Sequence, residues 1–541
     1  MRRMRFVIVA VCCAIGLAAS GVNATPQRTQ SHMAPRLSLR PLLRPPALSS
    51  VLPDTPSKVE CVSSGDPSKN VQLDCDTLLP NNEPHIAVDP ADPNHMVASS
   101  NDYDQCCDAF YTTFNGGKTW HAGNMSVEPP GGNHRTGSDP VTSFDTKHNV
   151  VIHASLNYLN DGCDADVVAS ISKDGGLNWN KIVQVADGGG PTSCLLFNDK
   201  EWITTDNNPS SPYYGRSYIT WSRFLSTPRK TLESPIWEAH SDDGGRTWTT
   251  PHEISGSNAA LCTLQAAGAP NQCDEDQFSV PSVGPDGTVY VSFINGQNQA
   301  LREPGEAFDD QYLLVRSADG GATWSTPTMI ASLEDGSRDL PINVDGRQTF
   351  TDYQLRTPFT ANVVADPTQP GRLYFAFADN RNGRHDADNP VTNIDVFLKR
   401  SDDGGLTWGA PVRVNRGGGG AGNDQWFPSV DVNPTNGTVG VLYNDRGYGI
   451  SRRSYQATLS ESTDGGATFT SKRISTAGSH PRSAVNFQAQ IPGCWQCSVF
   501  NGDYISLAYG ADGHANAVWT DMRVRDAVSG LYLQFIEFAR R

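Results

Sequence analysis

Three segments of the 541-residue chain end in an acid followed closely by arginine: Asp379-Asn380-Arg381, Asp445-Arg446 and Asp521-Met522-Arg523. A guanidinium grips a carboxylate through two parallel N–H bonds, so three of them suit recognition of an acidic substituent. Asp139, Glu201 and Asp276 stand just ahead of or within other apolar segments, and a pair of carboxyls can act as acid and base on a glycosidic bond. The candidate catalytic residues are therefore Asp139, Glu201 and Asp276. Arg381, Arg446 and Arg523, with Trp426 and Tyr504, are the candidate substrate-binding residues. The competing reading makes each Arg a tie between neighbouring sheets, which repetition at equivalent places favours. The chemistry would then fall to Glu83, Asp102 and Asp104. No His-Glu-x-x-His, Walker loop or Gly-x-Ser-x-Gly occurs, and Gly417 to Gly420 precedes no helical pattern. Asp386, Asp388 and Asp395 offer oxygen ligands to Ca²⁺ at a spacing unlike an EF-hand. The expectation is no cofactor, with calcium as the alternative.

Two repeats must position these residues. An eight-residue turn recurs six times, as in Ser172-Lys173-Asp174-Gly175-Gly176-Leu177-Asn178-Trp179, with copies starting at Thr113, Ser241, Ser317, Ser401 and Ser462. Asp or Asn accepts from the turn's own backbone, the Gly pair takes positive φ, and the closing aromatic returns to the core. Between the turns lie seven apolar hairpins, at 86–98, 141–154, 202–221, 282–293, 360–377, 429–443 and 504–519. The last has a third strand, 531–538, and then no sequence for a fourth. An unpaired edge is a liability, so residues 70–76 are expected to supply the missing strand. The expected fold is all-β: a seven-bladed propeller of four-stranded antiparallel blades, closed by its own N-terminal strand, with six blades as the alternative. In such blades the loops entering the first strand and leaving the second share one face, and the recurring turns mark the other. All the candidate residues fall on the first face.

The recurring turns resemble the Asp-boxes (bacterial neuraminidase repeats) of sialidase-like β-propellers over about residues 83–538. The resemblance implies that the turn is structural, and that three arginines hold a substrate carboxylate. Where those proteins carry Phe/Tyr-Arg-Ile-Pro in the first blade, this chain reads Glu83-Pro84-His85-Ile86. No Tyr–Glu nucleophile pair can be assigned by motif, although Tyr353 and Tyr504 lie on the functional face.

Composition bounds the rest. The chain has 42 Lys+Arg against 58 Asp+Glu, and residues 1–53 hold seven Arg and no acid, so the remainder is more negative than the net −16 suggests. A field of that sign repels polyanions and excludes a general nucleic-acid binder. Arg2, Arg3 and Arg5 before an apolar run and Val22-Asn23-Ala24 read as a signal peptide, 1–24. A Pro/Arg/Ser-rich leader follows over 25–56, then one propeller domain over 57–541. Ten cysteines remain after cleavage, with Cys61–Cys75, Cys262–Cys273 and Cys494–Cys497 as local pairs, and Cys106, Cys107, Cys163 and Cys194 pairing among themselves. The expected setting is extracellular, or periplasmic, with a glycan or glycoconjugate as partner and no membrane span. The functions that compete are a glycoside hydrolase on an acidic sugar such as sialic acid, a non-catalytic glycan- or protein-binding propeller, and a polysaccharide lyase.

Overall fold

The computed structural model describes residues 57–541 apart from 76–79, 104–107, 130–135, 160–162, 191–193, 229, 265–268, 302–309, 337–338, 344–345, 358, 387, 417–419, 421, 449–453, 482–499 and 528–531. The signal peptide, the leader, Asp104, Cys106, Cys107, Cys494 and Cys497 lie outside the described residues. Seven antiparallel sheets of four or five strands follow one another along the chain, with a two-stranded pair of Ser57–Lys58 and Asn178–Trp179 besides. Their first strands are Asn81–Val88, Thr136–Asp145, Leu196–Thr205, Asp276–Val283, Asn362–Ala365, Gln425–Val432 and Ser506–Tyr509. The fold is a seven-bladed β-propeller with almost no helix beyond short turns such as Gln299–Leu301. Among the described residues no helix is long and apolar enough to cross a membrane.

Second strands show why the blades stack. Met96–Asp102, Val150–Tyr158, Val289–Asn295, Leu373–Asp379, Val439–Asp445 and Ala515–Asp521 are buried along their whole length. Each has a neighbouring sheet on both faces, so runs such as Leu373-Tyr374-Phe375-Ala376-Phe377 replace the polar alternation of a half-exposed strand. The recurring turns carry the expected bonds. Ser172 Oγ donates to Asp174 Oδ1 at 2.8 Å, and Gly176 N–H donates back to Ser172 Oγ at 2.8 Å. The Asn178 N–H donates to Asp174 Oδ1 at 2.9 Å. The same pattern holds for Thr113-Asn115-Gly117 and for the four other copies.

The N-terminus closes the ring. Val71–Gln72 pairs with Phe538 and Glu537, which makes it the fourth strand of the seventh blade. Leu73 N–H extends the pairing to the Ile536 carbonyl at 2.8 Å. Cys61–Ser64 adds a fifth strand outside the first blade. Cys262–Cys273 forms a disulfide as expected, and Cys163 pairs with Cys194. Cys61 and Cys75 both pack against the core of the first blade.

Candidate functional site

The first strands of five blades share a local distortion near their beginning. Their register slips between Asn82 and His85, Ser138 and Val141, Asp199 and Trp202, Gln277 and Val280, and Trp426 and Ser429. At each slip two residues oppose one, which defines a β-bulge. The bulged residues Glu83, Asp139, Lys200, Phe278 and Phe427 all have left-handed backbones, with φ of 54–59°. Non-glycine side chains take this conformation at an energetic cost, and such residues concentrate at functional sites. In the seventh blade Gly502 takes it, at φ 90°, directly before Asp503. A Cβ there would lie 2.7 Å from Glu83 Cγ, so only glycine lets the first and seventh blades meet this closely.

Contacts between non-adjacent blades locate the propeller axis. Trp202 of the third blade meets Tyr504 of the seventh with ring centroids 5.3 Å apart. Lys200 Nζ sits 3.9 Å from the Tyr504 ring centroid and 4.2 Å from that of Trp202. Arg356, which precedes the fifth blade, forms a two-pronged pair with Asp503, with Nε donating to Oδ1 at 2.9 Å. Its guanidinium lies 4.3 Å from the Phe500 ring centroid. Asn101 Nδ2 donates to Glu83 Oε2 at 2.8 Å, and Asn101 Oδ1 accepts from the Asp139 N–H at 2.9 Å. Glu83, Asp139, Glu201, Asp503, Lys200, Arg356 and Tyr504 thus form one cluster on the axis, each less than a tenth exposed.

Its electrostatics follow from that burial. Desolvation, then the Asp139 and Asp503 carboxylates, hold the Glu83 carboxyl well above the usual range despite Arg356 and Lys200. Burial and Asp139 do the same to Glu201, against Lys200. Both therefore hold a proton more tightly than an ordinary carboxyl. His85 is pushed down to about 3 by burial, Lys200 and His153, so it is uncharged, and its Nδ1 accepts from the Thr142 N–H. A carboxyl of raised proton affinity beside further carboxylates can serve acid–base cleavage of a glycosidic bond.

Of the sequence candidates, Asp139, Glu201 and Tyr504 come together here. Asp276 does not: it accepts from Asn295 Nδ2 at 2.7 Å inside the fourth blade, where burial raises its proton affinity. Trp426 is a core residue, packed on Phe350 at 4.7 Å and Tyr455 at 5.0 Å. Each of the three arginines is bonded to a carboxylate beside it. Arg381 binds Asp379 at 2.8 Å and reaches the Ser332 carbonyl at 3.3 Å. Arg446 pairs with Asp424 and lies 4.0 Å from the Tyr353 ring centroid. Arg523 holds Asp521 with two prongs of 2.6 and 2.9 Å, and also Asn70 and Thr476. Each arginine ties sheets and loops of the scaffold. Asp102 lies at the end of the second strand of the first blade, paired in register with Asn81. Asp386 and Asp388 are linked by an N–H···Oδ1 bond, whereas Asp395 is bound to Asn415, so these three do not form a shared cradle.

Glu83, Lys200, Arg356 and Asp503 are the cluster residues that spacing did not single out first. A signal existed: Glu83-Pro84, Asp139-Pro140 and Phe427-Pro428 place X-Pro at the same offset in three blades, at the bulge.

Comparison with protein-family models and with curated proteins found no match. Among solved structures, the chain is similar to an ulvan lyase from a new polysaccharide lyase family, with 11% identity over 85% of this chain and 94% of the other, at a TM-score of 0.45. It is also similar to an α-L-arabinofuranosidase of Fusarium graminearum, with 11% identity over 87% and 97% of the two chains and a TM-score of 0.44. A Hadza microbial sialidase shares 16% identity over 78% and 76%, with a TM-score of 0.41.

Proposed function

We propose that the protein is a secreted glycoside hydrolase that works at the axial cluster on an acidic sugar such as sialic acid. The observation that carries this reading is Glu83, a buried carboxyl of raised proton affinity on a strained bulge among Asp139, Glu201 and Asp503. Glu83 is the general acid that protonates the leaving oxygen, and Asp139 is the carboxylate that acts as base or nucleophile on the sugar. Arg356 is held by Asp503 and orients that side of the cluster. The recurring turns are Asp-boxes in this reading, supported by their Ser–Asp–Gly bonding. The two disulfides support an oxidising compartment.

Incubation with sialosides, arabinans and uronic-acid polysaccharides tests it. Hydrolysis of at least one of the acidic substrates is expected, and Glu83→Gln should lower turnover by about 10²–10⁴-fold. A second reading, a glycan-binding propeller without turnover, is favoured by Glu83-Pro84-His85-Ile86 where an Arg-Ile-Pro motif would stand. Binding with no sugar released from any panel member would select it. For export, non-reducing peptide mapping should find Cys494, Cys497, Cys61 and Cys75 oxidised. Thiols at all four would count against the extracellular assignment.

A further inference from the structure

Away from the axial residues, an imidazole and two carboxylates converge where the fourth blade meets the fifth. Glu334 and Asp339 lie in the connection that follows the outer strand of the fourth blade, Thr328–Ser332. His385 lies in the loop that leaves Leu373–Asp379 of the fifth. One donor atom from each falls within 4.8 Å of the others. His385 Nδ1 is hydrogen-bonded to Asp339 Oδ1 and stands 3.8 Å from Glu334 Oε2. The Asp339 side chain is 2% exposed, whereas those of His385 and Glu334 are 26% and 35% exposed, so the group is open to solvent on one side.

Backbone and side-chain bonds hold these residues in place. Asp339 Oδ2 accepts from the Gly336 N–H at 2.7 Å, and the Asp339 carbonyl accepts from Asn380 Nδ2 at 2.6 Å. A reciprocal pair of backbone bonds between Arg384 and Val391 closes the loop that carries His385. The surroundings are acidic. Asp335 is buried with Asp310, Asp339 and Asp379 near enough to repel its charge, while Arg381 is bonded to Asp379. Such a field draws a cation.

An imidazole nitrogen joined by two carboxylate oxygens suits a divalent transition metal, whereas Ca²⁺ and Mg²⁺ take oxygen ligands. Zn²⁺ holds nitrogen and oxygen at about 2.0–2.2 Å, which sets neighbouring donors of a tetrahedron ~3.4 Å apart. The 3.8 Å between His385 and Glu334 is near that span. The ion takes the place of the proton that joins His385 Nδ1 to Asp339.

We propose that Glu334, Asp339 and His385 form a Zn²⁺ site that ties the fourth blade to the fifth, with water in the remaining coordination position. The site stands whether or not the axial cluster turns over a glycan.

Calorimetry of the mature, untagged protein, treated with EDTA and dialysed, tests it with ZnCl₂, MnCl₂ and CaCl₂ as probes. One Zn²⁺ per chain is expected, bound tenfold or more tighter than Mn²⁺ or Ca²⁺. The melting temperature should rise with Zn²⁺ and fall back with EDTA. His385→Ala and Asp339→Asn should each weaken uptake tenfold or more. Asp166→Asn, in the acidic group of Asp164, Asp166 and Asp187, should leave it unchanged. No Zn²⁺ uptake by the wild type would overturn the proposal and leave His385 as the ion-pair partner of two carboxylates. Uptake that survives both ligand substitutions, uptake lost with Asp166→Asn, or tighter binding of Ca²⁺ would overturn it too. Should the ligand variants not fold, X-ray absorption of the Zn²⁺-loaded wild type decides. One imidazole among oxygen ligands is expected, and sulfur or several imidazoles around the ion would overturn the site.

Discussion

Arg446 and Asp424 are both at most 2% exposed, and the pair is closed off by Tyr353. Removing the arginine leaves a buried carboxylate with its main counter-charge gone, which costs about 3–5 kcal/mol in comparable pairs. Arg446→Ala is therefore expected to melt at a clearly lower temperature while the folded protein binds sugar acids unchanged. Weakened binding at an unchanged melting temperature would return Arg446 to the substrate. The solvent-facing Arg400–Asp402 pair is the control, since ion pairs of that kind contribute only about 0–1 kcal/mol. The residue scale is also where sequence reading was least complete. The acid-then-Arg endings are visible as a repeat, but the repeat is a local device. Asp379 and Asp521 accept from the backbone N–H of Arg381 and Arg523, and Asp445 from that of Gly447. Glu83 and Lys200 owe their roles to bulges, and a bulge shifts a side chain without leaving a periodic trace. An X-Pro pair betrays the bulge at Glu83, and none marks the one at Lys200.

At the scale of elements, the legible parts were those built from local bonding. Each recurring turn carries its own Ser, Asp and Gly partners, so its geometry is written in eight consecutive residues. The turn also has a long-range use. Gly405 has φ 80°, and a Cβ there would fall 2.0 Å from Leu314 Cδ2 of the preceding blade. Gly405→Ala therefore combines backbone strain with overpacking and should cost about 1–3 kcal/mol in thermal or denaturant unfolding. A neutral outcome would mean that the turn does not clamp one blade to the next. Ring closure was legible for another reason: six turns against seven hairpins left one edge uncovered. Leu73, fully buried just past the closing strand, measures what that edge is worth. Leu73→Ala should destabilise by about 2–5 kcal/mol, as an interior leucine does. A loss below about 1 kcal/mol would show that the ring is held without its N-terminal strand.

Over the whole molecule, the buried acids set a pH dependence with a definite sign. Glu537, in the strand that pairs with Gln72, is pushed up to about 8 by burial, then Asp521 and Asp74, against Arg523. Burial raises Asp431 to about 6, and Glu83, Glu201, Asp276 and Asp335 are raised as well. His95 is raised too. Burial opposes its charge, but its Nδ1 faces the Asp89 carboxylate and its Nε2 donates to the Gly175 carbonyl of the next blade's turn. A group that holds its proton more tightly when folded contributes stability that is complete below its unfolded pKa and vanishes as pH rises through the folded one. Unfolded carboxyls titrate near ~4, so the acids withdraw stability between about pH 4 and 8. The turn aspartates act oppositely. Hydrogen bonds from Thr323 and Ser317 lower Asp319 to about 2, and those from Thr407 and Ser401, outweighing desolvation, do the same for Asp403. Their contribution is present above ~4 and is lost as pH falls toward 2. The melting temperature should consequently peak between about pH 4 and 6 and decline toward pH 8. Differential scanning fluorimetry from pH 3 to 9 reads this directly, and a curve still rising at pH 8 would overturn it. Glu537→Gln should flatten the limb above pH 6, and Asp431→Asn the limb below it, because each removes one raised acid and leaves the turns untouched.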